Sequence, residues 1–231
     1  MEPLDQIANI VALTMGVAWA SGINLYATLL VLGVLANTGH IQLPPDLQIV
    51  ADPLVIAAAG FMYFVEFFAD KTPGVDTGWD TVHTFIRIPA GAALAAGAAA
   101  DVGTAAAIAA ALVGGGLAAG THATKAGARV LINTSPEPFS NWTASITEDI
   151  AVIAGLWTAL NHPWFFIVLL AVFVALMIWA LPKLWKGIKK VFGTIGRFFA
   201  TQQSTQHAKQ NPPALEQKAD SRPASDNDEV R

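Results

Sequence analysis

The stretch Glu66–Arg87, EFFADKTPGVDTGWDTVHTFIR, sets four carboxylates, a lysine, a histidine and an arginine between long runs of Ala, Val, Leu, Ile and Gly. No Lys or Arg precedes Lys71. Charge at bilayer depth is costly, so charged groups there face a partner or a watery cavity and often mark function. Thr72-Pro73-Gly74 breaks the stretch, because proline cannot continue a helix and glycine tolerates a turn. One apolar helix therefore ends near Asp70, and a second starts beyond the turn with its charges on one side.

The rest of the chain sets the class. Of 231 residues, 54% are hydrophobic and 13% charged, against about 25% charged in soluble domains. The fold expected is all-α, a polytopic helical membrane protein with about six transmembrane helices. Their approximate bounds are 4–37, 52–70, 79–100, 104–133, 146–160 and 163–181. The fifth is short for a crossing, which takes about 20 residues. The first and fourth exceed the bilayer core and carry weak points, Ser21-Gly22-Ile23-Asn24 and Gly114-Gly115-Gly116, where a kink or close packing of small residues is expected. With no cysteine, disulfides, thiolate catalysis and Cys-ligated metals are excluded. No basic patch interleaves with aromatics, so no nucleic-acid partner is expected. The partner expected is the lipid bilayer, and a homo-oligomer is possible.

Lysine and arginine distribution sets orientation. The 37–52, 100–104 and 161–163 connections carry none, whereas Lys71, Arg87, Lys125, Arg129 and the run from Lys183 to Arg197 fall at the opposite ends. Both termini are expected in the cytoplasm, which would leave the sequons at Asn133 and Asn141 unused. Residues 1–182 form the expected transmembrane domain. Residues 183–200 read as an amphipathic basic helix at the inner leaflet. The polar tail 201–231 reads as disordered.

A weak internal repeat lies at an offset of 96 residues. Tyr26-Ala27-Thr28, Val34-Leu35 and Asn37-Thr38 return as His122-Ala123-Thr124, Val130-Leu131 and Asn133-Thr134. Units of about 5–100 and 104–182 would each hold three spans and so lie in opposite orientations, a recurring transporter arrangement.

Ser21-Gly22-Ile23-Asn24-Leu25-Tyr26, Glu66, Asp70-Lys71-Thr72-Pro73-Gly74-Val75-Asp76, Asp80, Pro89-Ala90-Gly91-Ala92 and the Gly-rich fourth span running into Arg129 and Asn133 together resemble a bacterial integral-membrane family, domain of unknown function 4126. Members often have a Gly-rich turn ending in Asn-Pro where this chain has Ser135–Asn141. The resemblance implies a multi-pass protein of the bacterial cytoplasmic (inner) membrane and brings no activity with it.

The candidate site residues are Asn24, Glu66, Asp70, Asp76, Asp80, His83, Arg87, His122, Lys125 and Arg129. Glu66 and Asp70 share a helix face; Asp76, Asp80, His83 and Arg87 form a stripe; His122, Lys125 and Arg129 form a second. Glu148 and Asp149 open the fifth span behind a possible cap at Ser145. Three uses of these residues are open. Acids and bases could pair to fix helix register. They could line a cytoplasm-facing cavity for a small polar or anionic solute or a lipid headgroup, with His83 or Glu66 carrying a coupling proton. Glu66, Asp70, Asp76, Asp80 and His83 could instead hold Mg²⁺ or Mn²⁺. Transport is the function expected, with no resident cofactor other than that possible divalent metal. A metal-dependent membrane enzyme on a lipid phosphate and a non-catalytic scaffold are the alternatives.

Overall fold

The computed structural model describes residues 3–72, 74–134 and 138–210. Among them are six α-helices: α1 (Pro3–Asn37), α2 (Pro53–Ala69), α3 (Val75–Ala99), α4 (Thr104–Ile132), α5 (Pro138–Asn161) and α6 (Pro163–Gln210). Proline at the first position starts α2 and α6, where its missing N–H costs nothing. Asp52 caps α2 by accepting from the Leu54 N–H. Short 3-10 segments at Pro45–Ala51 and Ala100–Val102 complete the described elements.

Four helical segments are long and apolar enough to cross a membrane: Pro3–Asn37, Val75–Val102, Thr104–Ile132 and Pro163–Val191. The Pro45–Ala51 segment and α2, bent by 64° where they meet, make a fifth if taken as one span. The expected span at 146–160 belongs to a longer helix, α5, which also carries Asn141, Ser145, Glu148 and Asp149 and does not reach the same apolar standard. Outward-facing side chains on these helices are large and apolar, with Phe85 81% and Leu112 74% exposed. That is the surface hydrocarbon accepts and water does not.

The compact unit Met1–Ile188 is organised around α1, which packs on α2, α3, α4 and α5. Small residues set the close approach of α1, α3 and α4. A Cβ on Gly22 would lie 2.6 Å from the Ala118 carbonyl oxygen, and one on Gly91 would lie 2.6 Å from both Ala118 Cβ and Ser21 Oγ. Gly114 is closed off by Ala95 in the same way. Away from this seam the core is filled by larger groups, among them Trp19, Leu32, Val152, Leu156 and Phe166.

The two expected weak points behave differently. α1 is broken at Asn24, whose φ of −147° and ψ of 100° are extended. α4 runs unbroken through Gly114-Gly115-Gly116. There glycine is used for helix contact: Gly114 and Gly115 face Ala95 and Ala92, while Gly116 has open space beside it.

The second unit begins at Lys189, and its described part, residues 189–210, is helical. The expected interfacial helix at 183–200 is thus continuous with α6, and helix extends ten residues into the tail expected to be disordered. Residues 211–231, the remainder of that tail, lie outside the described residues.

Candidate functional site

The break in α1 starts the site. In an unbroken helix the Ala27 N–H would bond to the Ile23 carbonyl. Here it bonds to Asn24 Oδ1 at 2.9 Å, and the Thr28 hydroxyl donates to the Asn24 carbonyl at 2.8 Å. The released Ile23 carbonyl accepts from Lys125 Nζ at 3.1 Å. Asn24 Nδ2 donates to Asp149 Oδ1 at 3.1 Å. One buried asparagine therefore holds the break and links α1 to α5. Asn24→Ala is expected to cost about 1–3 kcal/mol by stranding a buried N–H and weakening the hold on a buried carboxylate; thermal unfolding in detergent reads this, and an unchanged midpoint would remove Asn24 from the scheme.

The charged stretch supplies the next layer. Gly74, at φ 85°, turns the chain into α3, a conformation that costs glycine little. This places α2's last turn beside α3, so Glu66 and Arg87, far apart in sequence, meet at 2.6 Å. Arg87 also holds Asp80 Oδ1 at 2.9 Å. From α4, Lys125 Nζ reaches Asp70 Oδ2 at 2.8 Å, Glu148 Oε2 at 3.4 Å, Glu66 Oε1 at 3.5 Å and Asp80 Oδ1 at 3.9 Å. Arg129 pairs with Glu148 at 2.6 Å and Asp70 at 3.6 Å, and donates to the carbonyls of Asp70 and Asn141. These contacts join four acids (Glu66, Asp70, Asp80, Glu148) to three bases (Arg87, Lys125, Arg129). Glu66, Arg87 and Arg129 have no solvent exposure. Ionised throughout, the network carries one negative charge more than it neutralises.

The partners of His122 fix its tautomer. Arg87 Nη1 lies 3.1 Å from His122 Nδ1. A guanidinium has no acceptor, so Nδ1 carries the lone pair and Nε2–H points to the Asp80 carbonyl and Thr84 Oγ1. In His83, Nδ1 donates to the Trp79 carbonyl at 2.9 Å, and Nε2 shares a hydrogen bond with the Tyr26 hydroxyl at 3.0 Å. The His83 ring also stacks on Trp79.

All ten sequence-predicted residues are buried, but they do not form one cluster. Glu66, Asp70, Asp80, Arg87, His122, Lys125 and Arg129 are joined directly. Asn24 joins through Lys125's carbonyl partner and Asp149, and His83 is turned toward Tyr26. Asp76 lies apart and, among the described residues, meets neutral donors: the N–H groups of Gly74 and Thr77, the Thr77 hydroxyl and Asn133 Nδ2. The five residues weighed as metal ligands are thus divided among different partners, and no group of three or more His, Asp or Glu suited to a metal occurs among the described residues.

Several members were not singled out from the sequence. Glu148 and Asp149 read as acids at a helix start, yet α5 begins at Pro138, nearly three turns earlier, and Ser145 inside it accepts from Lys71 Nζ at 3.2 Å instead of capping. Asn133 and Asn141 are given no site role by the sequence; Asn141 Nδ2 donates to Asn133 Oδ1 at 2.7 Å, extending the chain of contacts from Asp76 to α5. At the turn after α2, burial works against the charged form of Asp70, but Lys125, then Arg129 and Arg87, outweigh it and hold the carboxyl below its ordinary range. Burial pushes the Lys71 ammonium below its ordinary range, against the pull of Asp149 and Asp70.

The network is not sealed. A cavity of about 300 Å³ between α1, α4, α5 and α6 is lined by Trp19, Ile23, Thr121, Lys125, Glu148 and Phe173 among others. Among the described residues, Glu66 Oε2, Asp70 Oδ1, Asp80 Oδ2 and the Thr121 hydroxyl, and with them Arg87 Nε and Arg129 Nε, are buried without a hydrogen-bond partner, a costly state that buried polar groups seldom keep. The site therefore combines a dense charge network, unpartnered buried polar atoms and an adjoining cavity that Lys125 and Glu148 line.

No curated protein and no solved structure matches the chain. A family model does, over residues 11–183, the span that contains every residue of this network: the chain belongs to the family described as domain of unknown function (DUF4126).

Proposed function

We propose that this protein is a membrane transporter that moves a small solute in exchange for, or together with, a proton carried on the Glu66–Asp80 carboxylates. The observation that carries the reading is the four-acid, three-base network buried among membrane-length helices and reached by a cavity at Lys125 and Glu148. The six buried members balance at three acids and three bases, and the odd charge enters with Glu148, whose side chain is 20% exposed at the edge of the network. A carrier gains a group that takes up and releases a proton. Glu66 Oε2 and Asp80 Oδ2, both unpartnered, are the atoms proposed to accept it. His83 is a poorer candidate because both its ring nitrogens already have partners, the Trp79 carbonyl and the Tyr26 hydroxyl. An anion is disfavoured as solute, since Arg87, Lys125 and Arg129 are each engaged by at least two carboxylates.

The finer topology belongs to the same proposal: six spans, with α1, α2 and α3 related to α4, α5 and α6 as inverted repeats, both termini on the cytoplasmic side of a bacterial inner membrane. The break at Asn24, which frees a carbonyl toward a cation, supports it, because unwound backbone near a cavity recurs in such carriers. Equivalent packing of the halves does not: α3 lies closely along α4, whereas α6 reaches α1 and α4 through long side chains such as Phe166 and Met177.

Purified protein in liposomes loaded with a pH-sensitive dye tests the function. Adding one member of a panel (a primary amine, sodium, glycine, inorganic phosphate) is expected to change internal pH, and Glu66→Gln to reduce the rate at least tenfold. Folded protein that is silent across the panel, with Glu66→Gln failing to fold, would leave the network a structural device and end the transport reading.

A further inference from the structure

The surroundings of Lys125 Nζ identify what the cavity admits. Five oxygens lie within 4 Å of that nitrogen: Asp70 Oδ2 at 2.8 Å, the Ile23 carbonyl at 3.1 Å, Glu148 Oε2 at 3.4 Å, Glu66 Oε1 at 3.5 Å and Asp80 Oδ1 at 3.9 Å. They come from four different helices and the turn after α2. An ammonium donates three hydrogen bonds, so this shell offers more acceptors than its occupant uses. Its radius is too long for Mg²⁺, which takes about 2.0–2.1 Å, or Ca²⁺, about 2.3–2.6 Å. It suits an N–H donor.

We infer that this shell is a binding site for a primary alkylammonium ion, and that Lys125 is its tethered occupant, displaced when the solute arrives. The inference deepens the transport reading and rests on it. Three observations converge. The shell retains surplus negative charge even with Lys125 in place, since four acids meet three bases. Among the described residues, Glu66 Oε2, Asp70 Oδ1 and Asp80 Oδ2, the second oxygens of three shell carboxylates at least nine-tenths buried, have no hydrogen-bond partner, so these carboxylates keep acceptor capacity for an incoming donor. The adjoining cavity is walled by Trp19, Ile23, Ala128, Ala151 and Phe173, which suit an alkyl chain better than an ion with a full hydration shell. Lysine fits the role of a movable plug: its ammonium rides on a flexible four-carbon stem, and the partly exposed Glu148, 3.4 Å away and lining the same cavity, can keep it paired when it leaves the inner oxygens. The exchange of one ammonium for another preserves the charge of the network, so it avoids stranding a bare carboxylate.

The test uses the full chain in detergent or nanodiscs with n-butylammonium chloride as probe and tetramethylammonium chloride, which has no N–H, as control. Lys125→Met vacates the shell, and the variant is expected to gain thermal stability from butylammonium at concentrations at least tenfold below those needed by the unaltered protein. Tetramethylammonium should give no such gain. Folded Lys125→Met that ignores butylammonium, or responds equally to tetramethylammonium, overturns the inference. If Lys125→Met does not fold, binding of radiolabelled methylammonium decides: Glu148→Gln, at the partly exposed edge of the shell, should weaken it at least tenfold, and equal or absent binding in both proteins overturns the inference. Proton-coupled flux of another solute class without amine binding would refute this site and spare the transport reading; amine binding without any flux would do the reverse.

Discussion

Arg87→Met is expected to destabilise the protein by about 3–5 kcal/mol, the usual consequence of removing one partner from a buried charge pair. The side chain has no solvent exposure and satisfies Glu66 at 2.6 Å and Asp80 at 2.9 Å while orienting His122 through Nδ1. Without it, two carboxylates share Lys125 alone, at 3.5 and 3.9 Å. Neutralising them together should reverse most of the loss, so Arg87→Met combined with Glu66→Gln and Asp80→Asn is expected to unfold closer to the unaltered protein than the single variant does. Thermal unfolding of detergent-solubilised protein, followed by tryptophan fluorescence, makes the comparison. A single variant within about 1 kcal/mol of the parent would mean that the network is hydrated enough to tolerate unpaired acids, and the burial argument would fail with it.

Gly22→Ala is the second large effect. A methyl group there would sit 2.6 Å from the Ala118 carbonyl oxygen and 2.8 Å from Thr121 Cβ, and a backbone atom cannot move aside as a side-chain tip can. α1 must shift from α4, at an expected cost of about 1–3 kcal/mol for overpacking. Gly22 precedes the break by two residues, so the shift should also lengthen the Ile23 carbonyl contact to Lys125. Gly116→Ala is the internal comparison. It lies on α4, the helix that Gly22 packs against, with nothing within 4 Å, and alanine should stabilise by up to about 1 kcal/mol through helix propensity. Equal unfolding midpoints for the two variants would refute the view that Gly22 marks a close helix crossing.

The contrast between these glycines shows where sequence reading reached its limit. Ser21-Gly22-Ile23-Asn24 and Gly114-Gly115-Gly116 looked alike as weak points. Asn24 breaks its helix because its side chain replaces the lost backbone acceptor for Ala27 N–H and bonds to Asp149. The triple glycine has no such substitute, so continuing the helix and packing against Ala95 and Ala92 is the better outcome. The α3 stripe shows the same limit in another form. Asp76, Asp80, His83 and Arg87 do share a face, but eleven residues span about 16 Å of helix. Each depth meets a different neighbour: Asn133 for Asp76, Tyr26 for His83, and Glu66 with His122 for Arg87.

The amino-acid order alone determined the all-α class, the membrane-length apolar helices, the turn at Thr72–Gly74 and the set of charges that had to be reconciled with an oily interior, because hydropathy and helical period are local properties of a chain. Which acid meets which base, the recruitment of Glu148, Asp149 and Asn133, and the five-oxygen shell around Lys125 were decided only when α1, α2, α3, α4 and α5 packed together. Those contacts join residues as much as 125 positions apart, and their geometry depends on helix crossings that no local pattern encodes.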